Sequence, residues 1–400
     1  MMRYWKTTAF IAVMVLSIGV YYIGADGPKP DYYIQTLSGD KQEAANIIVD
    51  GRYKSDPISI DLGGSSYESG SFFRSLDRLA YDSPTLNQLA QDHSSFLRGI
   101  RGIDNFTENE QMIGHVGLDI RSTENPGDQK LIFKVSLYDK ESKDNSSFQV
   151  IVPKKIRGGN GYCGIDYVWL EAQAINVITW EPYKSSYELH LYRFSLDQKS
   201  LLQDKIMNPD EMEDTNLGLL IGGRYEQDSL KHNRNVIFQR YFYDNNDTKT
   251  VSHKELVAYD LNNDKLEQIE NDQLNEMLSS NMDSELYSAL TGDVITLTKV
   301  IGNHDLQIVR YQIAEKKMLG EFTLSLKDLR LTVGGIYSVT VKDDRAYVLG
   351  SSNTTGFTQM PVVNAIDLNT GKIVYQGSIQ AKSDEAIKTS LSLYKISFKL

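Results

Sequence analysis

The stretch VVNAIDLNTGKIVYQG, residues 362–377, decides how this chain is read, because three earlier stretches share its frame. They are HLYRFSLDQKSLLQDKI at 190–206, ELVAYDLNNDKLEQIE at 255–270 and QIVRYQIAEKKMLGEF at 307–322. Each is an apolar strand, a short polar turn containing lysine, and a second apolar strand. The matching apolar positions are Leu196, Leu261, Ile313 and Leu368, spaced by roughly 50 to 65 residues. IFKVSLYDKESKDNSSFQVIV, around Leu137, reads as an earlier and more diverged copy.

Between copies lie further strand-like runs, among them GIDYVWLEAQAINVITW, NVIFQRYFYD, GDVITLTKV and SVTVKDDRAYVLGSS. A hairpin recurring once per about 50 residues, with two strands between copies, is the pattern of four-stranded sheets set around an axis. Each small sheet has two apolar faces, so it is stable only when neighbours stack on it and the ring closes. The expected fold is all-β: a β-propeller of about six to seven four-stranded blades. Closure requires an exchange between chain ends, with SLSLYKISFKL completing a blade with the strands near Ile34 to Ile60. A β-sandwich pair or a meander of unrelated hairpins is the competing architecture.

The segment NAIDLNTGKIVYQG, residues 364–377, resembles the outer hairpin of quinoprotein-like propellers. Blades of that family carry an Ala-x-Asp-x-x-Thr-Gly-Lys run followed by an aromatic, here Ala365, Asp367, Thr370, Gly371, Lys372 and Tyr375. The other three copies keep the hydrophobic frame and the lysine. The resemblance implies a propeller fold and assigns no activity.

From Thr7 to Ala25 the chain runs TTAFIAVMVLSIGVYYIGA without a charge, with Arg3 and Lys6 just before it. Roughly 19 helical residues reach about 28 Å, close to the thickness of a bilayer core. Basic residues before it and acidic residues after it place the N-terminus in the cytoplasm, with Tyr21 and Tyr22 near the outer interface. A cleaved secretory signal ending near Ala25 is the alternative, but Ile23 stands where such a signal has a small residue. The expected organisation is a signal-anchor helix over 1–25, a Pro/Gly/charged linker over 26–31 and an extracytoplasmic β domain over 32–400. Within that domain, Phe72, Phe73, Leu76, Leu79 and Ala80, then Leu86, Leu89, Ala90, Phe96 and Leu97, recur at helical spacing and predict a helical insert over about 69–99.

Composition excludes several function classes. The acidic excess, net charge -11, repels phosphate backbones, so no nucleic-acid partner is expected. The single Cys163 cannot form an internal disulfide. The six histidines, His93, His115, His190, His232, His253 and His304, lack a short metal-binding spacing. Gly159, Gly161 and Gly164 match a dinucleotide fingerprint formally, but a strand-like run follows where a helix is needed. Asp260, Asn262 and Asp264 imitate a calcium loop, with Lys265 in place of the turn glycine and Asn271 in place of the closing glutamate. Asp166 and Glu171 flank Trp169 like a glycosidase pair, yet residues five apart point to opposite faces of a regular strand. No G-x-S-x-G elbow is present. No catalytic residue, metal ligand or cofactor is therefore assigned.

Tyrosine is over-used, with 24 in the chain. Its ring supplies apolar area and a hydroxyl at small entropic cost, which suits packing and binding alike. Tyr241, Tyr243 and Trp169 are the candidate ligand-surface residues. The resulting expectation is a non-enzymatic binding or sensor module in a Gram-positive envelope, single-pass in the cell membrane, with its C-terminal domain outside. Its partners would be the membrane, through the N-terminal helix, and a protein or cell-wall ligand. The alternative is an exported propeller enzyme, quinoprotein-like or polysaccharide-acting, with a site in the central channel.

Overall fold

The computed structural model describes Met14 and most of residues 29–399, outside 55, 68–87, 90–91, 99, 101–104, 123–127, 156–162, 184–185, 208–214, 222–229, 231, 244–250, 280–285, 353–360 and 383–390. The expected anchor over 1–25 lies outside the described residues. Among the described residues, no helix is long and apolar enough to cross a membrane.

The described chain is all-β, with six sheets arranged like the blades of a propeller, five of four strands and one of five. Strand β1 (Tyr32–Gly39) comes first, followed by β2 (Ile47–Tyr53), β3 (Asp56–Ile60) and β4 (Ser65–Tyr67) of blade 1. Blade 2 holds β5 (Phe106–Glu108), β6 (Met112–Ser122), β7 (Asp128–Asp139) and β8 (Asn145–Lys155). Blade 3 holds β9 (Gly164–Leu170), β10 (Ala174–Tyr183), β11 (Ser186–Ser195) and β12 (Ser200–Ile206). In blade 4 stand β13 (Thr215–Ile221), β14 (Asn235–Tyr243), β15 (Val251–Asp260) and β16 (Lys265–Ile269). Blade 5 has β17 (Leu286–Thr291), β18 (Val294–Ile301), β19 (Asp305–Gln312) and β20 (Lys317–Ser325). Blade 6 has β21 (Leu331–Lys342), β22 (Arg345–Ser352), β23 (Pro361–Asp367) and β24 (Ile373–Ala381), and β25 (Leu391–Phe398) ends the chain.

Both chain ends close the ring. β25 pairs with β2 and becomes the first strand of blade 1, with Val49 opposite Ile396 and Gly51 opposite Leu393. Gly51 is required there, since a Cβ would fall 2.4 Å from the Ser392 carbonyl. The expected exchange between SLSLYKISFKL and the N-terminal strands is therefore present. β1, which carries Ile34, departs from that expectation: it adds to the outside of β24 as a fifth strand of blade 6. Tyr32 and Ile34 then bury with Tyr375, Val49 and Ile396 in the seam joining blades 6 and 1.

The four positions Leu196, Leu261, Ile313 and Leu368 occupy one equivalent place. Each follows the third strand of its blade and donates its backbone N–H to the residue ahead of the second strand: Gln173, Arg234, Asp293 and Asp344, at 3.1, 2.9, 2.9 and 2.9 Å. The diverged copy obeys the same rule with a shifted register. Lys140, not Leu137, makes the bond, to Gln111 at 2.9 Å; Leu137 lies inside β7.

The turn that follows repeats as well. Asp260 and Asp367 each accept two backbone N–H groups through Oδ1, as an Asx turn does. Four residues on, the backbone enters the left-handed region at Lys143, Lys199, Asp264, Lys316 and Gly371. Only glycine adopts that region freely, and an ordinary L residue is disfavoured there by about 1–2 kcal/mol. Lys199→Gly is expected to raise stability by about 0.5 kcal/mol after glycine's own entropy is deducted. Gly371→Lys should lower it by more than about 1 kcal/mol, since a Cβ there would also lie 2.3 Å from Phe322 Cδ1. Urea midpoints of the two variants against the parent check both.

Apolar residues of facing sheets fill the seams between blades 2 and 3, 3 and 4, 4 and 5, and 5 and 6. Arg310 adds a polar lock between blades 5 and 6, donating to the Leu368 carbonyl, Asn369 Oδ1 and Asp344 Oδ1. Part of the expected helical insert is described, including α1 (Ser94–Leu97). Leu89, Phe96 and Leu97 cover Phe106, Ile113 and Tyr138 on the face of blade 2 turned away from blade 3. A second helix, α2 (Asp272–Ser279), joins the seam of blades 4 and 5 through Leu274, Met277 and Leu278.

Candidate functional site

The first-to-second and third-to-fourth strand turns gather at one end of the blades, the turn face. At the opposite face the seam between blades 2 and 3 changes character. Moving toward it, β8 presents Val150, Val152, Lys154; β10 presents Val177, Thr179, Glu181; β11 presents Phe194, Tyr192, His190, Glu188. The period-two alternation that buries the apolar residues carries the charged ones into the same seam.

Glu181 is 4 % exposed and His190 6 %. The Tyr192 hydroxyl donates to Glu181 Oε1 at 2.5 Å, and the Thr179 hydroxyl donates to the same oxygen at 3.1 Å. The Lys154 ammonium lies 2.8 Å from Asp204 Oδ2, 3.5 Å from Glu181 Oε2 and 3.2 Å from His190 Nδ1. It also sits 5.0 Å from the centre of the Tyr192 ring. His190 Nδ1 is 2.9 Å from Asp204 Oδ1, and its Nε2 is 3.3 Å from Glu188 Oε2 and 3.7 Å from Glu181 Oε2.

Burial opposes a charge on His190, but the hydrogen bond to Asp204 and the Glu181 charge outweigh it, so its pKa is raised. Burial likewise opposes ionisation of Asp204, and the His190 and Lys154 hydrogen bonds overcome that and lower its pKa. Tyr192 is held far above the ordinary phenol range, by burial first and then by the Glu181 charge.

Half-buried Cys163 borders this group, and burial with the nearby Glu181 charge pushes its thiol up to about 12. The thiolate is the reactive form, so native Cys163 is expected to react with a neutral disulfide reagent on the order of a hundredfold more slowly than the unfolded chain. Stopped-flow labelling with and without denaturant checks this; equal rates would contradict it.

The candidate surface residues are not brought together. Trp169 is 2 % exposed, inside the seam of blades 3 and 4 with Leu191, Leu217 and Phe238, and its Nε1–H has no partner. The alternation of β9 turns it inward, away from any face. Tyr241 looks the other way, toward blade 5 on the side of Ile237. Its ring lies over Gly218, its hydroxyl donates to Gln239 Oε1 at 2.8 Å, and the Lys254 ammonium is 5.7 Å from its centre. Tyr243 pairs with Val251 through its backbone, and its side chain lies outside the described residues.

Glu171 is engaged by Asn176 Nδ2 at 3.0 Å and Arg193 at 2.5 Å. Among the described residues no group of three or more His, Cys, Asp or Glu is arranged to hold a metal ion. Histidine spacing of the metal-binding kind does not reveal the Lys154–His190 network. Its signal was present as charged residues at seam positions of otherwise apolar strands, in VIVPK, NVITWE and ELHLYRF.

On the turn face, Leu230 and Asn233, ahead of β14, bond to other blades. The Leu230 carbonyl accepts from Glu108 N–H of blade 2 at 2.8 Å, and Asn233 Nδ2 donates to the Leu290 carbonyl of blade 5 at 3.4 Å. Blades 2 and 5 stand opposite each other in the order of six.

These features define a class, an all-β ring of six blades with a buried ionic seam. No family model matches the chain, and no curated protein matches it. Solved structures give loose overlaps. The Pseudomonas aeruginosa periplasmic gluconolactonase is 9% identical, covering 88% of this chain and 98% of its own, with a TM-score of 0.34. Porphyromonas gingivalis dipeptidyl peptidase 4 is 12% identical over 86% of this chain, with a TM-score of 0.30, and the match spans 52% of its length, about half. The β-propeller domain of the Pyrococcus furiosus trilobed protease is 9% identical over 72% of this chain and 98% of its own, with a TM-score of 0.25. The propeller architecture stands on the strand order of this chain itself.

Proposed function

We propose that the chain is a membrane-tethered, extracytoplasmic binding or sensor module of a bacterial envelope, which presents the face opposite the turns to a protein or cell-wall ligand. The observation that carries this reading is the commitment of the charged groups in the seam of blades 2 and 3. Lys154, Glu181, His190, Asp204 and Tyr192 form one connected network, so the cluster serves to fix blade positions. Leu230 and Asn233 bond to blade 2 and blade 5 on the turn face, which favours the opposite face for binding. The uncharged segment from Thr7 to Ala25 supports the tether.

Tyr241 and Tyr243, at the far end of β14 from the turns, are the residues proposed to meet the ligand. The test immobilises the full chain in detergent and offers it purified cell-wall sacculi and, separately, solubilised envelope proteins. Saturable binding that Tyr241→Ala weakens at least about tenfold, as a hot-spot aromatic would, supports the reading. No binding to either sample, or equal binding by the folded variant, removes it.

A further inference from the structure

We propose that the seam between blades 2 and 3 is a pH-operated latch, in which His190 must carry a proton for Glu181, Glu188 and Asp204 to stay together at the ends of β10, β11 and β12.

The groups facing His190 come from four strands. β8 supplies Lys154; β10 supplies Glu181 and Thr179; β11 itself supplies Glu188 and Tyr192; β12 supplies Asp204. Cys163, ahead of β9, completes the surroundings and is uncharged at neutral pH.

A neutral imidazole has one N–H and one lone pair. If Nδ1 carries the hydrogen, it donates to Asp204, and the lone pair of Nε2 faces the carboxylates of Glu188 and Glu181. If Nε2 carries it, Nδ1 accepts from Lys154, but its lone pair then opposes Asp204 Oδ1 at 2.9 Å. Either tautomer leaves a lone pair against a carboxylate. Imidazolium alone donates on both sides, to Asp204 and to Glu188; it gives up the Lys154 contact at Nδ1, and the three carboxylates outweigh the repulsion of that ammonium.

Charge counting points the same way. With the proton, two cations, Lys154 and His190, face three carboxylates; without it, one cation faces three. Glu181 and Glu188 are also directly opposite in the β10–β11 register, a like-charge cross-strand pair that is destabilising unless a cation lies between.

His190 has its folded pKa raised above 6.5. The latch is therefore fully made below that value and is lost as pH rises through the folded pKa. Loss loosens blade 3 at the face opposite the turns, which makes ambient proton activity an input to that face.

The test is hydrogen exchange of the full chain, read by mass spectrometry between about pH 5.5 and 8.5, the range in which histidine titrates. Intrinsic exchange rates are divided out. Protection of peptides covering 145–155 and 186–206 is expected to fall about threefold as pH rises, while 294–312 in blade 5 stays constant. His190→Gln should abolish the dependence. Glu188→Gln provides a second variant should that one fail to fold: its amide can donate to Nε2 of the neutral ring, and protection should hold across the range. A pH-independent parent, or a Glu188→Gln variant that falls as the parent does, overturns the latch.

Discussion

Ending the chain at residue 390 will abolish cooperative folding. That truncation removes β25, the first strand of blade 1. Ile396 and Leu393 are buried against Val49, Ile60 and Tyr347, and each contributes about 1.5–3 kcal/mol by burial. The β25–β2 ladder runs from Ile47–Phe398 to Tyr53–Leu391, and each lost hydrogen bond costs about 0.5–1.5 kcal/mol net. Thr340 of blade 6 and Asn46 lose their bonds to the Ile396 carbonyl and the Lys399 N–H. The sum matches or exceeds the roughly 5–15 kcal/mol that holds a whole domain folded. Circular dichroism against urea should show a broad, non-cooperative loss of signal, and Ile396→Asp in the full chain should move in the same direction. A truncated chain with the parent's sharp transition would show that the ring does not depend on this closure.

Glu181→Ala comes second in size, at about 3–5 kcal/mol of lost stability, because it strips a buried cation of its partner. Lys154, 14% exposed at its side chain, keeps Asp204, but the Tyr192 and Thr179 hydroxyls lose their acceptor. Lys154→Met alone should also be costly, leaving three carboxylates with His190. The double variant Glu181→Leu with Lys154→Met should recover much of the loss, since replacing a buried pair by apolar residues of similar volume is often neutral. A double-mutant cycle in urea measures the coupling. Two single variants each costing under about 1 kcal/mol would show that the seam is held by its apolar part alone.

The repeat was legible in the sequence because its cause is local. Leu196, Leu261, Ile313 and Leu368 mark a turn whose left-handed residue, preceded in three of the four by an acceptor side chain (Ser195, Asp260, Asp367), is written within six positions. Blade 2 is harder to read from sequence, because Asp139–Lys143 keeps that turn while placing Lys140 where the other copies have an apolar residue. The destination of β1 was not legible, since Ile34 alternates equally well for the outside of blade 6 as for blade 1. Trp169 and Tyr241 look alike in sequence, as aromatics on strands, and differ only in which seam their sheet position turns them toward.

By itself the sequence determined period, turn type and strand alternation, because these are set by neighbours a few bonds apart. Which strands close the ring, and that Lys154, Glu181, His190 and Asp204 share one buried seam, were decided by the tertiary structure. Those residues lie up to 50 positions apart, and only the stacking of one sheet on the next brings their charges within hydrogen-bond reach.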